Sequence, residues 1–410
     1  MNTLDRFLRY VRVDTQSDPH SPTQPSTDKQ RDLGRILVAE LRDLGLADAE
    51  LDPHGYVYAT LPATPGCESA PVICFCGHLD TSPDASGTGV KPIVHENYDG
   101  GPITLPDDPT VVLTPEAFPE LQQCIGTTIV TASGTTLLGA DNKSGVAAIV
   151  AAVEHLVNHP DIPHGKLRIL FTPDEEIGRG TEEVDLAKLG ADFGYTIDGE
   201  QRGSVDDETF SADGARIDIR GVSVHPGMAR GKLENAVKIA ADIIAALPPD
   251  RLSPETTAGR QGFLHPTEVR GTAEAATIHF ILRDFETAKL TEYAALLRSI
   301  IDDVAPRYPS SRIELSTGEQ YRNMKQVLDR HPHVVDLAVT AIRNIGLLPR
   351  SAAIRGGTDG SRLSFLGLPC PNIFAGEHAF HGKYEWASVF EMDKAAETVV
   401  EIARLNALNP

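Results

Sequence analysis

KLRILFTPDEEIGRG, residues 166–180, joins a short apolar run to three consecutive carboxylates, Asp174, Glu175 and Glu176. The apolar half predicts a strand buried on both faces, as in a sheet covered by helices on each side. In an open α/β sheet, residues just past the carboxyl ends of the strands face the crevice where ligands bind. Three adjacent carboxylates placed there repel one another unless cations or protons intervene. In isolation a triplet of this kind is ordinarily a solvated turn, so its companions along the chain decide its meaning.

The neighbouring pattern repeats the strand. PVICFC (71–76) is a second two-sided apolar run, and NKSGVAAIVAAVEHLVNH (142–159), between the two, has helical periodicity. LDRFLRYV (4–11) and KQRDLGRILVAELRDLGL (29–46) predict two amphipathic helices, while 84–136, rich in Gly, Pro, Asp and Thr, reads as an elaborated loop with a small hairpin. From about 210 the character changes. ARIDIRGVSV (215–224) and TIHFILRDF (277–285) alternate, and GKLENAVKIAADIIAAL (231–247) and ETAKLTEYAALLRSIIDDVA (286–305) are helical. Half-buried strands with helices predict an antiparallel sheet covered on one side. The α/β pattern resumes after about 315. The expected fold class is therefore α/β: a catalytic, metal-binding domain over 1–209 and 316–410, with a mixed, mostly parallel sheet flanked by helices, and an inserted smaller α+β sandwich domain over 210–315.

Bulk properties exclude several function classes. A chain of 410 residues is long enough for two cores. Its 58 acidic and 37 basic residues give a formal charge of −21, which repels phosphate backbones and anionic lipid; neither nucleic acid nor membrane is an expected partner. Cys67, Cys74, Cys76, Cys124 and Cys370 form no disulfide framework and no CxxC pair. With no secretory h-region at the start and no run of 18 apolar residues, the cytoplasm is the expected compartment.

Four further segments end strands, or open a helix, on potential metal ligands. His78 and Asp80 follow PVICFC; Asp141 opens the helix at 142–159; Asp198 ends FGYTID; and NIFAGEHAFHGKYEW carries Glu377, His378 and His381. Each alone has an ordinary explanation, as a surface histidine, a turn aspartate or a first-turn carboxylate. Five such strand-end segments in one α/β framework argue instead for a site of oxygen and imidazole ligands without thiolate, suited to zinc, with manganese or cobalt able to substitute.

GHLDTSPD (77–84), LLGADNKSGVA (137–147), FTPDEEIGRG (171–180), YTIDGE (195–200), the HPG at 225–227, RDF (283–285), IRGGTDGSRLS (354–364) and AFHGKYEW (379–386) together resemble the M20 family of zinc metallopeptidases, in particular its tripeptide aminopeptidases. The resemblance implies a two-zinc site in which His78 and Asp198 hold one ion, Glu176 and His381 the other, and Asp141 bridges them. It further implies Asp80 as the partner of His78, Glu175 as the proton carrier acting on a water shared by the ions, and Asp174 as a residue stabilising the turn. His225, Arg283 and Arg355 are the implied contacts to a short peptide substrate, and the smaller domain is a candidate surface for a homodimer. The same motifs also serve dipeptidases, carboxypeptidases and N-acyl-amino-acid deacylases; outside enzymes, a peptide- or metal-binding protein would need the ligands but not Glu175. Two positions depart from the pattern: Asn142 stands where many relatives carry Asp, and Gln261 stands where Glu is usual.

Overall fold

The computed structural model describes residues 2–408. Its contacts divide it into two compact units, one formed by the chain up to Asp207 with Gln326–Ala352 and the chain from Thr358 onward, the other by Glu208–Lys325 and Ala353–Gly357.

The first unit is built on an eight-stranded sheet, in the order Glu50–Leu51, Val57–Leu61, Leu167–Thr172, Ile73–His78, Phe193–Gly199, Asn372–Phe374, Ser204–Thr209 and Arg350–Ile354. The four strands from Leu167–Thr172 to Asn372–Phe374 run parallel, and antiparallel strands flank them. KLRILF and PVICFC thus become neighbouring parallel strands, in register from Ile73 opposite Leu167 to His78 opposite Thr172. Alternation sorts their side chains between two cores. Ile73, Phe75, Leu167 and Ile169 face the larger core beside the helices Ala140–Asn158 and Val389–Leu408, whereas Cys74, Cys76 and Leu170 face a smaller one with Leu363 and Cys370. Four of the five cysteines are buried, and all five are free thiols.

Helix Ala140–Asn158 is buried along most of its length, and its alanines let it lie close to the sheet. The tightest approach is at Gly145. A Cβ there would stand 1.8 Å from the carbonyl oxygen of Ile197 and 2.1 Å from Asn142 Oδ1. Backbone cannot swing aside as a side chain can, so Gly145→Ala is expected to cost at least about 3 kcal/mol, the upper range for overpacking. A melting temperature within a degree or two of the parent would contradict this account of the helix–sheet contact.

The segment 84–136 is more ordered than its composition suggests. It contains the hairpin of Ile103–Thr104 with Val112–Leu113, and strands Ile93–His95 and Ile129–Thr131, which join Glu377–His378 and Trp386–Ser388 in a four-stranded sheet. Tyr98, Leu105, Leu113, Leu121 and Trp386 give this region its own apolar core.

The second unit is an antiparallel sheet in the order Phe263–Gly271, Ala275–Asp284, Ser211–Arg220 and Arg312–Tyr321, packed on helices Ala236–Ala245 and Thr287–Val304. Ala276, Ile278, Phe280 and Leu282 alternate into its core, as the period-2 pattern predicts. The boundary expected at 315/316 falls inside the last strand, whose residues pair with Ser211–Arg220 as far as Ala212 opposite Tyr321. That strand alternates only at its start, where Ile313 and Leu315 pack on the core, and is polar and mostly exposed beyond, so its second half carries little periodic signal. The unit accordingly runs on to Lys325 and takes back Ala353–Gly357.

Among the described residues no helix is long and apolar enough to cross a membrane.

Candidate metal centre

The parallel strands all deliver side chains to one edge of the sheet. Ile73–His78 ends on His78, Leu167–Thr172 leads into the Asp174–Glu176 turn, Phe193–Gly199 carries Asp198 at its penultimate position, and Asn372–Phe374 leads to the hairpin bearing His381. Helix Ala140–Asn158 adds Asp141 at its start, where φ and ψ are not yet helical and the Asp141–Asn142 peptide is cis.

Asp141 stands at the middle of the group. Its Oδ1 lies 2.8 Å from His78 Nε2, and its Oδ2 lies 3.2 Å from His381 Nε2. Asp198 Oδ1 is 3.4 Å from the same His78 nitrogen, and Glu176 Oε2 is 2.8 Å from His381 Nε2. Two overlapping triplets result, His78–Asp141–Asp198 and Asp141–Glu176–His381, each with ligand atoms within 4.8 Å of one another. The five residues expected as ligands are thus brought together, although they are scattered over some three hundred positions.

The donor set fits divalent cations. Glu176 Oε1 is buried with no hydrogen-bond donor, and Asp198 Oδ1 has only His78 Nε2 at 3.4 Å, short of a well-formed bond, an arrangement that is costly for a carboxylate unless a cation supplies the missing interaction. With Glu175, four carboxylates converge on two imidazoles, and without cations the repulsion is visible in their proton affinities. Burial, then the neighbouring Asp141, raises Glu176 to about 8. Burial likewise raises Asp198 to about 6 and Glu175 well above the usual carboxylate range. Burial alone would lower His381, but its bonds to Asp141 and Glu176 raise it to about 11.

Around these groups lies a frame of buried polar anchors. His78 Nδ1 is 3.0 Å from the backbone carbonyl of Asp80 and 3.4 Å from its Oδ1. The Asp80 carboxylate chiefly serves the acidic turn: Oδ1 accepts the Glu175 N–H at 3.0 Å and Oδ2 the Glu176 N–H at 3.2 Å. Asp174, also fully buried, has its carboxylate bonded by the Ser26 N–H and hydroxyl and by Gln30 Nε2, which fastens the turn to the N-terminal segment. One carboxylate of the triplet therefore anchors, while the other two, Glu175 and Glu176, face the site. Asn142, the departure from Asp, accepts the Gly145 N–H through Oδ1 at 3.1 Å, a bond that aspartate and asparagine make equally well.

Two other candidates in the last hairpin are turned away. His378 stacks on Trp386 at 4.0 Å between ring centres, and its Nε2 pairs with Glu391 at 2.7 Å. Glu377 is buried against the Ser144 hydroxyl at 2.8 Å. Glu385, which sequence reasoning passed over, is buried and accepts three backbone N–H groups next to Asp141. Its only sequence cue is its place beside Trp386, a residue bound to be buried.

His225, Arg283 and Arg355 all lie in the second unit. The exposed His225 accepts the Gly227 N–H at Nδ1, 3.2 Å away, at the head of a short turn. Arg283 Nη1 donates to the carbonyls of Asp213 and Leu282 at 3.2 and 3.0 Å. Arg355 bonds a loop of its own unit through both Nη atoms. Its Nη1 bonds the carbonyls of Gly259 and Gln261 at 2.8 and 2.7 Å, and its Nη2 bonds Thr257 Oγ1 at 3.0 Å. The guanidinium expected to grip substrate here fixes the loop 257–261. Gln261, the second departure, closes that loop by accepting the Ala258 N–H at 3.0 Å.

The strand-end imidazoles and carboxylates grouped around Asp141 could hold metal ions. A family model described as Peptidase family M20/M25/M40 matches residues 138–405, and the chain belongs to this family. It is a hydrolase, a peptidase. Peptidase T of Geobacillus thermodenitrificans is 47% identical over 402 residues, which cover 98% of this chain and 97% of that one. Among solved structures, an aminopeptidase of Bacillus cereus matches with a TM-score of 0.74 at 24% identity, and a tripeptidase of Staphylococcus aureus with 0.77 at 22%; each match covers 99% of this chain and 98% of the other. These two likenesses establish the fold.

Proposed function

We propose that the protein is a dinuclear metal aminopeptidase that releases the N-terminal residue of tripeptides. The observation that carries the metal part is the division of Asp141, one oxygen toward His78 and the other toward His381. The substrate part rests on the tripeptide-aminopeptidase motifs and on the similarity to Peptidase T.

In this reading His78, Asp141 and Asp198 hold one ion, and Asp141, Glu176 and His381 hold the second. Zinc suits the oxygen and imidazole donors, and manganese or cobalt can occupy the same set. When bound, a pair of divalent ions acidifies water between them and polarises the scissile carbonyl. The remaining work belongs to side chains. Glu175, with Oε2 4.0 Å from His78 Nε2, takes the proton of the attacking water and returns it to the departing amine. Asp80 keeps that carboxylate in place through the Glu175 and Glu176 amides. His225, Arg283 and Arg355 are candidate contacts to peptide oxygens, and Arg355 also shapes the loop 257–261.

A substrate panel tests the reading: a tripeptide, its N-acetyl form, the corresponding dipeptide and an N-acyl amino acid, offered to metal-loaded protein, with products identified by mass. The first peptide bond of the free tripeptide should break. The acetylated form should react at least about 10²-fold more slowly, since a site built to bind the amine rejects its absence strongly. Equal rates, or release of the C-terminal residue, would assign the chain to another branch of the family. Cytoplasmic residence, proposed on the five free thiols, predicts a protein unaffected by reductant. Pairing of two copies through the exposed edge strand Arg312–Tyr321 predicts twice the chain mass by light scattering, and a monomer mass would exclude it.

A further inference from the structure

Helical φ and ψ in Ala140–Asn158 begin only after Asn142, whose Oδ1 caps the Gly145 N–H. Ahead of that cap, in the turn 138–141, Gly139 has φ of +81° and no side chain to accept the turn's amides. The acceptor comes from a distant part of the chain. Glu385 Oε2 accepts the N–H of Leu138 at 2.6 Å and of Gly139 at 2.7 Å, and Oε1 accepts the N–H of Asp141 itself at 3.1 Å. The carboxylate is buried, 1% exposed.

Glu385 also belongs to the hairpin that bears His381. Strands Glu377–His378 and Trp386–Ser388 pair with His378 opposite Trp386, so residues 379–385 form the connection, and Glu385 is its last residue. Within it, Ala379 and His381 both have positive φ, +50° and +66°, a conformation that non-glycine residues hold only when the surroundings enforce it. One carboxylate therefore ties the backbone of Asp141 to the loop of His381.

We propose that Glu385 is a positioning residue that sets the separation of Asp141 and His381, and hence the affinity of the ion shared by Asp141, Glu176 and His381. It touches neither substrate nor ion. The inference rests on the two-ion reading above. Glu385→Gln keeps the shape but replaces one acceptor oxygen with an amide donor, which must face a backbone N–H. Glu385→Asp keeps the charge and withdraws it by one methylene.

The test is competition of metal-free protein against a chromophoric chelator for zinc, resolving the first and second equivalents in parent and variants, alongside the melting temperature of each metal-free form. One equivalent should weaken by about 10–100-fold in Glu385→Gln, the range for residues that orient ligands, and the other by no more than about threefold. Glu385→Asp should fall between, and decides the matter if the glutamine variant does not fold. A purely structural role would lower the metal-free melting temperature and leave the ratio of the two affinities at its parent value; that result overturns the proposal. If the parent takes up one equivalent only, the two-ion reading fails separately, and Glu385 is judged on that single affinity: a tenfold loss supports its role, and an unchanged value removes it.

Discussion

Replacing Glu175 with glutamine is expected to lower kcat by about 10²–10⁴-fold, the usual contribution of a positioned acid–base group, while the protein keeps its metal. The glutamine has nearly the same volume, so the half-enclosed side-chain site is filled as before. The backbone N–H of residue 175 still reaches Asp80 Oδ1, 3.0 Å away. Neither ligand triplet includes Glu175, so the ions retain their donors. What disappears is the ability to accept a proton from water and give it to the amine. KM should change little, because the lost interaction belongs to the transition state. Glu176→Gln, one residue on, is the contrasting case: it removes charge from a ligand and should release an ion. Turnover of Glu175→Gln within about threefold of the parent, with both ions measured in place, would exclude this residue as the proton carrier.

The second large effect concerns the protein without metal. Stripped of ions, it should lose stability as pH rises from about 5 to 8, by on the order of 3 kcal/mol, or about 6–12 °C in Tm at about 2–4 °C per kcal/mol. Glu176, raised to about 8, and Asp198, raised to about 6, are carboxyls whose folded pKa lies above the unfolded one. The fold holds their protons, so raising the pH through that window favours the unfolded chain. His381, raised to about 11, acts in the same direction: its contribution is complete below its unfolded pKa and fades as pH climbs toward the folded value. Asp141 is lowered, and its contribution fades only as pH falls below the ordinary carboxylate range, outside this interval. Divalent ions replace the protons and should restore Tm most at pH 8, where protons compete least for the ligands. Thermal melts with and without chelator at three pH values decide it. A chelated protein whose Tm is flat, or a Tm indifferent to added zinc, would show that these carboxylates do not meet at an ion-binding site.

Much of this centre was legible because its residues sit where strands stop. His78, Glu176 and Asp198 each follow an apolar run, and a run of four to seven residues announces its own end. Local sequence left His378 and His381 equivalent; tertiary contacts separated them, since Glu391 and Trp386 take the first. Asp174 shows the opposite limit. Nothing in the triplet says which carboxylate is the anchor, because Ser26 and Gln30 lie about 150 positions earlier. Glu385 was passed over for the same reason, its partners being backbone amides, which have no sequence identity. Strand Arg312–Tyr321 escaped because only Ile313 and Leu315 alternate onto the core, and the rest of this edge strand is polar and exposed.

Strand Phe193–Gly199, bearing Asp198, finds one of its two neighbours in Ile73–His78 and the other in Asn372–Phe374. The chain visits the second unit between those two pairings, so its middle strand waits nearly 180 residues for a flank. During synthesis at about 5–20 residues per second, that interval lasts on the order of ten to thirty seconds. His381 emerges only after it. Half of the imidazoles that would hold the proposed ions are therefore missing from a nascent chain that has not yet reached His381, and the proposed second ion would have to wait for it.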